Sequence, residues 1–169
     1  SVVPHTDQSG LSPGALRFIL SLRAVGEGHI SSIAFREGIL TADGQMELMA
    51  PPPVAMAAEG QVEDEHEPVA VRRNEAVSLS GTVIFPFTRA QRHGIEDLRL
   101  VRFCEEGGAH TYYGTYTAYS GAEIQSELLH TDDFRLFTLR QMSGAATRSK
   151  GLALFPRLID GAYGVMAGL

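Results

Sequence analysis

Thr111-Tyr112-Tyr113-Gly114-Thr115-Tyr116-Thr117-Ala118-Tyr119 is the stretch whose reading decides the fold. β-Branched and aromatic side chains lose rotamer freedom against a helical turn and fit a pleated, half-buried surface, so the run predicts a strand and excludes a helix. Working outward, apolar runs of strand length recur at Leu16 to Leu22, His29 to Phe35, Val77 to Phe85, Ile95 to Phe103, Phe134 to Leu139 and Leu152 to Phe155. Between them stand turn formers: Val25-Gly26-Glu27-Gly28, Ala42-Asp43-Gly44, Glu105-Glu106-Gly107-Gly108 and Ser120-Gly121. Eighteen glycines and eight prolines, spread along the chain, suit many short strands joined by tight turns. The expectation is an all-β fold dominated by hairpins. No repeat of fixed period stands out, although groups of about four strands would suit propeller blades of ~40–50 residues.

Composition narrows the function classes. With 169 residues, 44% of them hydrophobic, the chain has the apolar mass for one compact core. A formal charge of −6 repels phosphate backbones, and no basic stripe with interleaved aromatics appears, so nucleic acid is excluded as a partner. No apolar run reaches the ~18 residues of a membrane span, and a soluble, cytoplasmic protein is expected. The lone cysteine, Cys104, lies in an apolar run and reads as a buried structural thiol. The segment from about 50 to 68 differs from the rest: three prolines, an Ala/Met run, then Glu63-Asp64-Glu65-His66-Glu67. It reads as a loop excursion whose acidic block is solvated rather than metal-binding, and no metal is predicted.

Three segments carry charge in patterns with chemical meaning. In His93-Gly94-Ile95-Glu96-Asp97-Leu98-Arg99, strand alternation sends Glu96 to one face and Asp97 with Arg99 to the other. From Phe134 to Arg157 the chain holds Arg135, Arg140, Arg148, Lys150 and Arg157 with no acidic residue, a cationic stretch in an acidic protein that favours an anionic ligand. Lys150 is the only lysine. Arg17 and Arg23 share one phase of the alternation, and His29 follows a glycine-containing turn where it can line a pocket or satisfy a backbone group.

These segments together resemble glycoside hydrolase family 130, the mannoside phosphorylases and related mannosidases. The resemblance rests on Pro4-His5-Thr6-Asp7-Gln8-Ser9-Gly10, Ser21-Leu22-Arg23-Ala24, Gly26-Glu27-Gly28-His29-Ile30-Ser31-Ser32 and Gly94-Ile95-Glu96-Asp97-Leu98-Arg99. It continues through Tyr113-Gly114-Thr115-Tyr116-Thr117-Ala118-Tyr119, Thr131-Asp132-Asp133-Phe134 and Lys150-Gly151-Leu152-Ala153-Leu154-Phe155-Pro156-Arg157. It implies an incomplete β-propeller, part of a five-bladed ring, forming a single partial domain over 1–169. Asp97 would be the proton donor, with Arg23, Lys150 and Arg148 at bound phosphate and His29, Arg99 and Tyr116 at the substrate. Tyr112 and Tyr119 are further candidates for stacking on the sugar. The implied activity is inverting phosphorolysis of β-mannosides to mannose 1-phosphate, with inorganic phosphate as co-substrate and no cofactor. The alternatives are a β-mannoside hydrolase with Glu27 as second carboxylate, and a non-catalytic fragment that binds glycan or self-assembles.

Two positions depart from the family pattern: Leu98 stands where many members have proline, and Ser120 where an aspartate is expected. After Tyr163 the match stops. Five four-stranded blades need on the order of 200 residues, so the chain is expected to be a piece of a longer protein whose open strand edges favour a homo-oligomer.

Overall fold

The computed structural model describes residues 1–167 and, within them, every side chain but that of Glu27. It is all-β. In chain order the strands are β1 (Val2–Pro4), β2 (Leu16–Val25), β3 (Ser31–Leu40), β4 (Met46–Leu48), β5 (Met56–Ala57), β6 (Glu59–Gly60) and β7 (Val69–Arg72). They continue with β8 (Thr82–Ile84), β9 (Gly94–Cys104), β10 (His110–Tyr119), β11 (Ile124–Thr131), β12 (Leu136–Gln141), β13 (Ala153–Ile159) and β14 (Ala162–Met166). Short 3₁₀ turns over Glu27–His29, Leu79–Gly81, Arg89–Gln91 and Ala145–Arg148 are the only helical segments among the described residues. None is long and apolar enough to cross a membrane.

The strands form one open sheet with the order β1-β2-β3-β9-β10-β11-β12-β7-β6. Its centre is the antiparallel meander β9 to β12, in which the Thr111–Tyr119 run pairs with β9 on one side and β11 on the other. The β2–β3 hairpin joins this meander through a single parallel bridge, Ser31 to Gly94. The β13–β14 hairpin branches from the other end of β9, where Arg157 pairs with Cys104.

The sheet bends sharply, and an aromatic cluster shows by how much. Phe35 on β3 stacks on Phe137 on β12 with centroids 5.8 Å apart. Four strand intervals separate them in the sheet, which in a flat one would be on the order of 19 Å at ~4.8 Å each. The sheet therefore folds back on itself and encloses Ile19, Ile33, Phe35, Ile84, Ile95, Tyr112, Leu129, Phe134 and Phe137. Phe134 sits edge-on to both Phe35 and Tyr112 from the turn between β11 and β12.

Several expectations change. Cys104 is exposed rather than buried: it ends β9 beyond Leu98 and Leu100, the last residues of that strand in the core, while Phe103 is buried on the opposite face against Tyr113 and Tyr163. The run from Val77 to Phe85 is a strand only at Thr82–Ile84, preceded by a 3₁₀ turn. Strands β7 and β11 carry no run that the sequence reading singled out. The stretch from 50 to 68 is mostly exposed, yet Ala58 is buried and β5 and β6 attach it to β8 and β7.

Candidate functional site

Strand β9 does not alternate regularly. Opposite β10, Arg99 pairs with Thr115 and Glu96 with Thr117, so Asp97 and Leu98 face one residue. This is a β-bulge, and Asp97 takes the positive φ, 55°, that one class of bulge uses at its first residue. Aspartate is one of the few residues besides glycine that visit this region routinely. The carbonyl of Leu98 is satisfied by side chains: it accepts from Ser21 Oγ at 3.3 Å and Ser1 Oγ at 3.2 Å.

The bulge overturns the expectation that Glu96 and Asp97 face apart. Both carboxylates meet the same guanidinium. Arg23, near the end of β2, donates from Nη2 to Glu96 Oε1 at 2.8 Å, and its Nη1 lies 3.8 Å from Asp97 Oδ1. Its Nε donates to the Ser31 hydroxyl at 2.9 Å, and that hydroxyl lies 3.4 Å from the same Glu96 oxygen. Lys150 Nζ is 3.9 Å from the other oxygen, Oε2. Glu96, at 12% side-chain exposure, is the sheltered hub, while Asp97 at 55% and Lys150 at 58% form the open rim.

Lys150 reaches the hub because its loop is tethered residue by residue. The carbonyl of Ser149 accepts from Ser126 Oγ on β11 at 2.8 Å, and that of Gly151 from Arg99 Nη1 on β9 at 2.8 Å. The carbonyl of Leu152 accepts from the Thr115 hydroxyl on β10. Gly151 has φ 85°, and a Cβ there would meet Arg99 Nη2 at 2.8 Å, so a larger residue would displace the guanidinium. Arg99 is thus spent on positioning the loop.

The other nominated residues lie elsewhere. Arg148 lines a surface cavity of about 1090 Å³ with Glu123, Gln125 and Thr147, and none of Arg23, Glu96, Asp97 or Lys150 lines it. His29 is exposed at the end of its 3₁₀ turn. The side chain of Glu27 lies outside the described residues. Tyr116 is buried, which corrects its nomination as a substrate platform: its hydroxyl donates to Glu127 Oε2 at 2.6 Å beneath the surface. Tyr112 is also inside, donating to the carbonyl of Pro4 at 2.8 Å. Tyr119 is half-buried, with its hydroxyl on Gly121 O at 3.1 Å. Ser120, in place of the expected aspartate, accepts the backbone N–H of Glu123 at 3.0 Å and shapes the β10–β11 turn.

Sequence reasoning missed Glu96 as hub, Ser31 as its support and the whole Glu127 network. Glu127 Oε2 accepts from Tyr116 and from Gln91 Nε2, each at 2.6 Å, while Oε1 is buried with no hydrogen-bond partner. Burial pushes the Glu127 carboxyl above the usual carboxylate range, against the pull of those two donors. Burial, and then the neighbouring Glu127, pushes the Tyr116 phenol well up. Nothing in the local pattern of Ile124-Gln125-Ser126-Glu127 marks a buried acid.

No family model matches the chain, and no curated protein matches it. Among solved structures, a β-1,2-mannobiose phosphorylase from Listeria innocua in complex with β-1,2-mannobiose is similar, at 15% identity and a TM-score of 0.36. The match covers 96% of this chain and 54% of that one, so the chain spans about half the length of that structure.

Proposed function

We propose that the chain is part of a carbohydrate-active enzyme of β-propeller type acting on β-mannosides, with Arg23, Glu96, Asp97 and Lys150 as its polar centre. The observation that supports the reading is the convergence of two cations and two carboxylates from β2, β9 and the loop before β13. These are the residues that the motif resemblance singles out, together with Glu96. In the favoured reaction, phosphate lies against Arg23 and Lys150, and one of its oxygens bonds to the anomeric carbon as the glycosidic C–O bond breaks. The departing oxygen takes its proton from Asp97, relayed through a sugar hydroxyl, and the anomeric configuration inverts. Glu96 acts as a positioning residue that holds the two cations together.

Hydrolysis is the second reading: an inverting hydrolase needs a second carboxylate across the sugar from the first, about 6.5–9.5 Å away, for which the sequence nominates Glu27, since Glu96 and Asp97 meet one guanidinium. Product analysis on a β-1,2-linked mannobiose, with and without phosphate, separates the two. Mannose 1-phosphate formed only with phosphate supports phosphorolysis; free mannose at a rate indifferent to phosphate supports hydrolysis. Neither product, from a folded chain, overturns the enzymatic reading and leaves a glycan-binding or self-assembling scaffold.

A further inference from the structure

A second cationic centre lies at the junction of β7 and β12, and no part of the proposed reaction uses it. Arg72 ends β7 opposite Leu136, the first residue of β12. The next residue, Arg73, donates its backbone N–H to the carbonyl of Arg135 at 2.8 Å. Register and backbone pairing thus bring Arg72, Arg73 and Arg135 to one corner, and all three line a surface cavity of about 540 Å³ with Glu75, Asp133 and Leu136. Like charges placed side by side across a strand pair destabilise it. The one acid opposite them is Glu59 on β6, the cross-strand partner of Arg72, and it accepts from Asn74 Nδ2 at 3.3 Å rather than from a guanidinium; among the described residues no carboxylate lies within ion-pair distance of the three arginines, and none of them donates a side-chain hydrogen bond.

The two acids in the cavity wall do not fill this role. Asp133 Oδ1 is committed to the backbone N–H groups of Arg135, at 2.8 Å, and Leu136, at 3.2 Å, which shapes the turn. Glu75 is exposed and pairs with none of the arginines. Arg73 is the most sheltered of the three. Its Nε is shut off from solvent, so the contact to an anion falls to the Nη groups, the side chain being only partly buried. Arginine is the side chain suited to gripping two oxygens of one tetrahedral anion.

We propose that this corner is a binding site for a phosphate group, either free phosphate or the phosphate of a small monoester, distinct from the Arg23–Lys150 centre. Arg73 and Arg135 hold it beside the paired ends of β7 and β12, Arg72 closes over it, and the room left in the cavity accepts the body of a monoester. The site does not depend on the proposed reaction.

The test is calorimetric titration of the purified chain with inorganic phosphate and, separately, glycerol 3-phosphate, at low salt and with chloride as the control anion. It uses the wild type, an Arg72→Ala/Arg135→Ala double variant and an Arg23→Ala/Lys150→Ala double variant. Arg72 and Arg135 are exposed, and circular dichroism verifies that their removal leaves the fold intact. The expected result is binding that the Arg72/Arg135 variant weakens at least about tenfold, the factor that one lost charge-assisted hydrogen bond carries, and that the Arg23/Lys150 variant retains. Tighter binding of glycerol 3-phosphate than of phosphate identifies the monoester as the ligand; the reverse order identifies free phosphate. No binding at millimolar concentration, or binding that survives in the Arg72/Arg135 variant, overturns the proposal. Loss only in the Arg23/Lys150 variant also overturns it, while supporting the other centre.

Discussion

The left-handed backbone at Asp97 sets up a test in which stability reports on the site. Replace Asp97 by Gly, Ala and Asn. The side chain is more than half exposed and its contact with Arg23 is 3.8 Å long, so losing that contact has little effect on stability. The backbone decides instead. At φ 55° an alanine Cβ crowds the carbonyl at a cost of roughly 1–2 kcal/mol. Glycine escapes that cost but gives up about 0.4–1 kcal/mol through the freer unfolded chain. The Gly variant should therefore be more stable than the Ala variant by about 1 kcal/mol, or about 2–4 °C in melting temperature for a chain of this size. Asn, which tolerates the same region, should stay within about 0.5 kcal/mol of wild type. Thermal and urea unfolding at neutral pH measure the series, and all three variants should lose turnover of a β-mannoside. An Ala variant as stable as the Gly variant would refute the reasoning. The backbone at 97 would then be extended, Glu96 and Asp97 would face apart, and Arg23 would not meet both.

Four further outcomes can be measured on the same chain. Tyr116→Phe should cost about 1–3 kcal/mol in urea unfolding, because Glu127 then keeps only Gln91 as donor in a buried site; an unchanged midpoint would show that the network contributes nothing. Glu127 has a raised pKa, so the native state binds more protons than the unfolded chain above the ordinary carboxylate range. Its contribution is full below that range and is lost as pH rises through the raised value; Glu127→Gln should flatten that fall, and parallel pH profiles would contradict it. Glu37 runs the opposite way: the adjoining His5 ring, then Ser80, holds its carboxyl below the usual range against its half-burial. Its contribution is present above the ordinary value and lost as pH falls through the lowered one, so Glu37→Gln should remove part of the acid-side loss of stability. Gly38→Ala would set a Cβ 2.5 Å from Phe18 Cζ and 2.7 Å from the carbonyl oxygen of Glu47, and overpacking of this kind should lower stability by about 1–3 kcal/mol.

How far the sequence could be read depended on whether burial followed the period-two pattern. Strands β2, β3, β9, β10, β12 and β13 were legible because apolar and β-branched residues fill them. Strand β11 was not: Ser126, Glu127 and Thr131 are buried polar residues, and polar residues at core positions erase the alternation by which a strand is recognised. Their burial is made possible by partners distant in sequence, the carbonyl of Ser149 for Ser126 and Tyr116 with Gln91 for Glu127. Strand β7 was missed for a different reason. Four residues are too few to show a pattern, and Val69 and Val71 are strand-like only because β12 lies alongside.

The centre on Arg23 failed and succeeded for one reason. The alternation rule set Glu96 on the face opposite Asp97 and Arg99, and a single extra residue in β9 brings Glu96 and Asp97 to one guanidinium. Once the bulge is in place, Arg99 is free to fasten the Gly151 carbonyl, and that bond carries Lys150 across to Glu96. Two cationic side chains and two carboxyl groups then stand together. For the phosphate of the proposed reaction to bind here, a cation would have to turn from Glu96 toward it, and the geometry singles out which one. Arg23 is fixed by short bonds to Glu96 and Ser31, whereas Lys150 stands 3.9 Å from Glu96 with most of its side chain in solvent. Lys150 is the group with the freedom to follow an incoming anion, while Glu96 keeps Arg23 aimed beside Asp97.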